Sequence, residues 1–270
     1  MNLSISPGKN NVGAYINDIN LKSLDQDQAT EIKKILNKYG VIFIKEQNLD
    51  PETYQNFAKN IGQPVVYPRL KGLDEKFPFI NVIERKPDDK NLSFGSSWLH
   101  QDTSYLANDR PRYTMLMGIE IPVGQGNTIF SSGFNAYDKL PDDIKEKIKD
   151  ATGVFSSAGP IAITRLEREK EMGIKSSESM EAEHPIVITV DGKKTLYVSP
   201  GHLMKIKNVK DDEAEYLKNY LVNHVNKKDF IFSYEWTKGD ICLWDNLSIL
   251  HMASEIKNCR RVMHLSLIHI

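Results

Sequence analysis

Cysteine is scarce, with two residues in 270. Cys242 and Cys259 are too few for a disulfide framework at this length and form no CxxC pair, which points to a cytoplasmic chain. Neither has an adjacent base or helix start that would mark a nucleophile. No apolar run approaches the ~20 residues that a membrane helix needs. Val41–Ile44 and Val262–Ile270 are the strongest apolar stretches. The first thirteen residues carry Ser, Pro, Lys and Asn where a signal peptide would be apolar. Charge of one sign is not in excess either. Thirty-five Lys and Arg face 36 Asp and Glu, so there is no nucleic-acid footprint. There is no GxxxxGK[ST] loop and no GxSxG elbow, and Gly124-Gln-Gly126 lacks the third Gly of a dinucleotide fingerprint. The partner expected is therefore a small molecule, with neither nucleic acid nor membrane involved. Forty per cent apolar residues and seven histidines remain to be placed.

Leu24, Ala29, Ile32, Ile35, Leu36 and Tyr39 recur at helical spacing, with Asp25 or Asp27 as cap and Gly40 as stop. Val41–Ile44 reads as a buried strand. Asp50-Pro51-Glu52 opens a second helix that ends near Gly62. Beyond Pro64 the pattern predicts short strands at 79–84, 99–105, 112–121, 127–131, 184–190, 195–199, 230–236, 240–244 and 261–270. Asp191-Gly192 between two of them is a strong hairpin signal. Helices are expected at 141–151 and 211–225. No repeat or linker divides the chain. The expected fold is mainly β with flanking helices, a jelly roll. It is read as one domain over 1–270, with α/β elements 1–63 packed on a core at 64–270. Charge-dense residues 161–183 read as a solvated helix or mobile insert, with a lid as the alternative. Exposed strand edges and the final segment permit a homo-oligomer.

His100-Gln101-Asp102 can place an imidazole and a carboxylate on one side of a strand, since residues i and i+2 share a face; on a helix they would diverge by about 200°. Alone the pair is weak, because chance supplies roughly half of one per chain of this composition. Trp244-Asp245-Asn246 is followed five residues later by His251. Together, His100, Asp102 and His251 make two imidazoles and one carboxylate. That facial set suits Fe(II) and leaves three coordination positions open; a structural zinc site would want four ligands, usually with thiolates. Arg261 is expected to start a strand antiparallel to that of His251, where its guanidinium can clamp a carboxylate. Arg260 reads as an exposed strand-edge residue.

These motifs, in this order, resemble the taurine dioxygenase (TauD/TfdA) family of Fe(II)- and 2-oxoglutarate-dependent oxygenases. The likeness extends over "GVIFIKEQNLDPETYQNFAKNIG", "GNTIFSSGFNAYDKLP", "HPIVITVDGKKTLYVSPGH" and the C-terminal block. It implies a double-stranded β-helix. It also implies iron ligation by His100, Asp102 and His251, with Arg261 and Thr128 binding 2-oxoglutarate. The implied reaction couples O2 and 2-oxoglutarate to oxidation of a C–H bond, releasing succinate and CO2. Asp102 implies C–H oxidation instead of halogenation, since related halogenases lack this carboxylate. Three positions depart from the family pattern. Leu265 stands where a second Arg holds an anionic substrate, Leu247 follows the Trp-Asp-Asn corner where Arg is common, and Leu99 separates Trp98 from His100. Tyr67, Phe155, His202 and Leu265 are the candidate substrate residues, with Arg69 a further one. The alternatives left open are a non-catalytic jelly-roll binding protein and a zinc hydrolase on the same triad.

Overall fold

A computed structural model describes residues 3–67, 70–90, 92–171, 173 and 178–270. The described strands are β1 (Ser4–Pro7), β2 (Ala14–Asn17), β3 (Val41–Ile44), β4 (Gln63–Val65), β5 (Asn81–Arg85), β6 (Tyr113–Glu120), β7 (Thr128–Ser132), β8 (Thr152–Ser156), β9 (Glu181–Pro185), β10 (Val187–Val190), β11 (Lys193–Leu196), β12 (Leu203–Lys207), β13 (Ile231–Tyr234), β14 (Ile241–Asp245), β15 (Ile249–Ala253) and β16 (Arg261–His269). The helices are α1 (Gln26–Tyr39), α2 (Pro51–Ile61), α3 (Gly133–Asp138), α4 (Asp142–Ile148), α5 (Ala162–Glu171) and α6 (Ala214–Val225).

The helix signals work through caps. Asp25 and Gln28 form a reciprocal capping box at the start of α1, and Gly40 stops it at φ 77°. Asp50 accepts the Thr53 N–H at the start of α2, with Pro51 in the first turn. The Asp191-Gly192 turn has φ of 47° and 80°, the twin positive values of a tight hairpin turn joining β10 and β11.

The main sheet has the order β1-β2-β3-β14-β6-β16-β4, with β5 also on β16. The smaller sheets are β13-β7-β15 and β12-β8-β9. This is a jelly roll with helices outside. Both faces of the main sheet are covered, which explains its unbroken apolar runs. In β3, Ile42 and Ile44 pack under α1 and α2 with Tyr54, Phe57 and Met115. The alternate residues Val41 and Phe43 face the interior, with Phe130, Tyr234, Trp236 and Trp244. A third core lies beneath α6, around Phe155, Tyr197, Leu217 and Leu221.

Some sequence expectations need correction. Residues 99–105 do not form a strand. Only His100 bridges to His251, and the chain then turns through 102–105, with Thr103 at φ 50°. β16 is not paired with β15: the two lie in different sheets, because 254–260 crosses from one sheet to the other. The C-terminal segment is no free edge, since β16 lies between β6 on one side and β4 and β5 on the other. The N-terminal strands are not a separate layer; β3 pairs with β14 and extends the main sheet. Of the segment 161–183, α5 forms a helix that buries Ala162 and Thr164 and exposes Ile163, while residues 172 and 174–177 lie outside the described residues. No described helix is long and apolar enough to cross a membrane.

Candidate metal centre and cosubstrate pocket

His100 and His251 are held opposite each other by two backbone hydrogen bonds. The His100 N–H reaches the His251 carbonyl at 2.9 Å and the return bond is 2.8 Å. Residues paired this way in an antiparallel bridge project to the same side. The rings lie 4.3 Å apart. The turn after His100 brings Asp102 Oδ1 to 3.7 Å from His100 Nε2 and 3.6 Å from His251 Nε2. One donor atom from each residue falls within 4.8 Å of the others, the spacing of a shared metal ion.

The surroundings fix both tautomer and orientation. His100 Nδ1–H donates to the Trp98 carbonyl at 3.1 Å, leaving the Nε2 lone pair for a metal. Thr114 Oγ1–H donates to Asp102 Oδ2 at 2.6 Å. Asn246 Nδ2–H donates to Thr114 Oγ1 at 2.8 Å, and Asn246 Oδ1 accepts from Asp102 N–H at 3.2 Å and from Trp244 Nε1–H at 3.1 Å. Thr114 and Asn246 thus hold the carboxylate. The sequence reading did not assign them this role, although Asn246 stood inside the Trp-Asp-Asn corner. Asn246→Ala is expected to weaken divalent-metal binding by roughly 10–100-fold with the fold retained. Metal titration of the folded variant checks it, and unchanged affinity would remove Asn246 from this support.

Burial lowers the affinity of His100 and His251 for protons and raises the Asp102 carboxyl above its ordinary range. The imidazoles are therefore neutral and available as ligands near pH 7. His202, also buried, is pushed down to about 3. Burial lowers His184, His224 and His264 too. In the unfolded chain all six titrate near ~6.5. As pH falls below that value the unfolded state takes up protons that the folded state resists, so stability is lost. Asp102 and Asp245, raised by burial (Asp245 to about 6), act in the opposite direction but are two against six. The unfolding free energy of metal-free protein, read from urea titrations, is expected to fall from about pH 7.5 to about pH 5.5, by at most ~1.4 kcal/mol per pH unit per histidine, and the urea midpoint with it. A flat or rising midpoint would contradict it.

Two cavities meet at His100, Asp102 and Leu265. The inner one also meets Thr128, Trp244, His251 and Arg261. Arg261 is 6% exposed, and its Nε and Nη2 have no partner among the described residues. Burial pulls it down to about 10, so it stays charged at neutral pH. Trp236 Nε1–H donates to Thr128 Oγ1 at 2.9 Å, which leaves the Thr128 hydroxyl proton free for another acceptor. Gly126, at φ 74°, makes room for Arg261: a Cβ there would lie 2.8 Å from the Arg261 Cδ. A buried cation, a hydroxyl donor and the triad thus share one chamber, which fits a metal-chelating dicarboxylate. Arg260, by contrast, is exposed and pairs with Glu84 and Glu120.

The outer cavity is walled by Tyr67, Leu70, Tyr105, Ile161, His202 and Leu267 among others. Three of the four candidate substrate residues, Tyr67, His202 and Leu265, line it. Phe155 does not. It is fully buried in the core beneath α6, 5.3 Å from the Tyr197 ring, because β8 packs that side chain among Ile186, Tyr197 and Leu203. Arg69 lies outside the described residues. The sequence reading missed Ser104 and Ser199, whose hydroxyls meet His202 Nδ1 at 2.9 and 3.2 Å and orient its ring.

An alpha-ketoglutarate-dependent sulfate ester dioxygenase of Pseudomonas putida is 27% identical over 264 residues, spanning 94% of this chain and 84% of that protein. An alkylsulfatase of Acinetobacter baylyi is 30% identical over 254 residues, 90% of this chain and 77% of that one. The crystal structure of a taurine dioxygenase from Burkholderia xenovorans superposes with a TM-score of 0.80 at 24% identity, covering 98% of this chain and 90% of that one, a likeness of fold. The family model of taurine catabolism dioxygenase TauD, TfdA matches residues 4–267, and the chain belongs to that family.

Proposed function

We propose that His100, Asp102 and His251 ligate Fe(II), that Arg261 and Thr128 bind the distal carboxylate of 2-oxoglutarate, and that residues 1–270 work as one catalytic domain. The chain is an Fe(II)- and 2-oxoglutarate-dependent dioxygenase that oxidises a C–H bond of a small organic molecule, most simply by hydroxylation. The observation that carries the site assignment is the buried Arg261, whose Nε and Nη2 have no partner among the described residues, in the same chamber as the triad. A buried guanidinium without a counter-ion is costly, and an anionic cosubstrate supplies one.

When bound, Fe(II) and 2-oxoglutarate supply the oxidising chemistry: one atom of O2 enters succinate, the other the product, and CO2 leaves. The chain's own contribution is positional. The His100–His251 bridge fixes two ligands, and Thr114 and Asn246 fix the third. Arg261 fixes the far end of the cosubstrate. Tyr67, His202 and Leu265 bound the outer cavity, where the substrate sits within reach of the metal centre.

The test is oxygen-free addition of Fe(II) and 2-oxoglutarate, read as a chelate absorption band, followed by O2 and measurement of succinate. Neither band nor succinate across a broad substrate screen would overturn the reading. Turnover with Zn(II) in the absence of O2 would replace it with a hydrolase.

A further inference from the structure

The support of the metal centre reaches further than Thr114 and Asn246, on the assumption that the function proposed above holds. Asn246 can hold Asp102 and Thr114 only while the corner that carries it keeps its place against β6. That corner, 245–248, leads from β14 in the main sheet to β15 in a smaller one. A segment that leaves a sheet leaves its ladder behind, so its buried polar groups must be met one by one.

Arg112, just before β6, meets them from two sides. Its carbonyl accepts the Asn246 N–H at 2.7 Å. Its Nε and Nη2 each lie 3.1 Å from Asp245 Oδ2. Asp245 Oδ1 accepts the Leu247 N–H at 2.9 Å, and the Asp245 N–H donates to the Gly40 carbonyl at 2.8 Å. The Asp245 carboxylate is thus used through both oxygens, and the residue is only 1% exposed. Burial raises it to about 6, and the Arg112 guanidinium opposes that rise. The guanidinium is oriented in turn. Its Nη2 donates to Asn37 Oδ1 on α1 at 3.3 Å and lies 3.7 Å from the Asp191 carboxylate in the β10–β11 turn.

Thr114 follows Arg112 by two residues. One short stretch of chain therefore receives the Asn246 side chain at Thr114 and grips the Asn246 backbone and its neighbour's carboxylate at Arg112. His251, beyond the corner, has an anchor of its own in the bridge to His100. The route from Arg112 to the metal centre accordingly runs through Asn246 to Asp102. A buried ion pair adds little net stability, because desolvation offsets the attraction. What a planar guanidinium on a buried carboxylate supplies is a single geometry.

We infer that Arg112 is a positioning residue for the metal centre, fixing the Asp245-Asn246 corner so that Asn246 can hold Asp102 and Thr114.

The test titrates the full metal-free chain with Mn(II) by calorimetry, with circular dichroism to confirm folding. Arg112→Met is expected to weaken Mn(II) binding roughly tenfold. Arg112→Lys keeps the cation without the planar fork and is expected to weaken it about threefold; it decides the matter if Arg112→Met does not fold. A double-mutant cycle with Asn246→Ala supplies the readout that general loosening of the fold would not give. In that background either Arg112 substitution is expected to cost less than about twofold, since the route is already cut. Unchanged Mn(II) affinity in a folded Arg112 variant overturns the inference. So does a loss that is as large with Asn246→Ala as without it. The unaltered chain separates the two levels. If it binds no Mn(II), the metal-centre assignment itself fails, whereas Mn(II) binding that the Arg112 variants share in full removes only the positioning role.

Discussion

Asp102→Ala is expected to leave a folded protein that neither retains Fe(II) nor forms succinate. The carboxylate is the one anionic member of the triad, 3.6–3.7 Å from both imidazoles. Removing one partner from a buried, paired set costs about 3–5 kcal/mol, or roughly 10²–10⁴-fold in metal affinity. Turnover should fall at least as far. The fold should survive, because burial already disfavours the ionised Asp102 in the metal-free protein, so its loss relieves a cost. Thr114 loses its acceptor but still receives the Asn246 amide. The metal-free melting temperature is therefore expected to stay level or rise, and only the stabilisation that Fe(II) adds should vanish. His251→Ala should lose metal equally but with some loss of stability, since its ring packs 4.5 Å from that of Trp244. Metal content per chain, circular dichroism and melting with and without Fe(II) decide the matter. Full metal content in both variants would refute the ligand assignment.

How far such a site can be read from residues alone depends on what brings them together. Caps and turn residues act locally, so α1, α2 and the Asp191-Gly192 hairpin were legible almost to the residue. The apolar runs of β3 and β14 were legible because burial on both faces leaves no room for polar residues. The two-residue spacing of His100 and Asp102 pointed to a shared side, but the reason given for it was wrong. A turn after a single bridging residue aims the carboxylate, and no strand alternation is involved. The pairing of β16 was not legible either, since the sheet that a returning strand joins is decided by distant partners. Phe155 fell to the same limit. Its sequence neighbourhood suits a cavity wall, yet β8 packs it into the core beneath α6. Thr114 and Asn246 act through Asp102, 12 and 144 positions away, a distance at which no local pattern exists.

Arg261→Met should separate cosubstrate binding from metal binding. The methionine keeps an unbranched apolar stem and removes the charge. Truncating one partner of a buried, hydrogen-bonded charge pair costs about 2–5 kcal/mol, so 2-oxoglutarate affinity is expected to drop roughly 30- to 4,000-fold. Fe(II) content should not change, because Arg261 is not among the triad residues. Arg261→Lys should fall between the two, retaining charge but losing the planar fork. The sign of the stability change is the sharper part of the expectation. In the metal-free protein Arg261 is buried and charged, with Nε and Nη2 unpartnered among the described residues. Its replacement by an apolar side chain should therefore raise metal-free stability or leave it level, as for other buried unpaired charges. The unaltered protein should instead gain stability from 2-oxoglutarate, by ~2.7 kcal/mol at a hundredfold excess over its dissociation constant, a gain Arg261→Met should lack at the same concentration. Gly126→Ala offers a second approach, since a Cβ there would force the Arg261 stem to shift. It should weaken 2-oxoglutarate binding with the guanidinium still present. Melting against 2-oxoglutarate concentration reads all three variants. Unaltered stabilisation of Arg261→Met would place the cosubstrate carboxylate elsewhere. Destabilisation of that variant without ligand would show that Arg261 has a structural partner and does not wait for an anion.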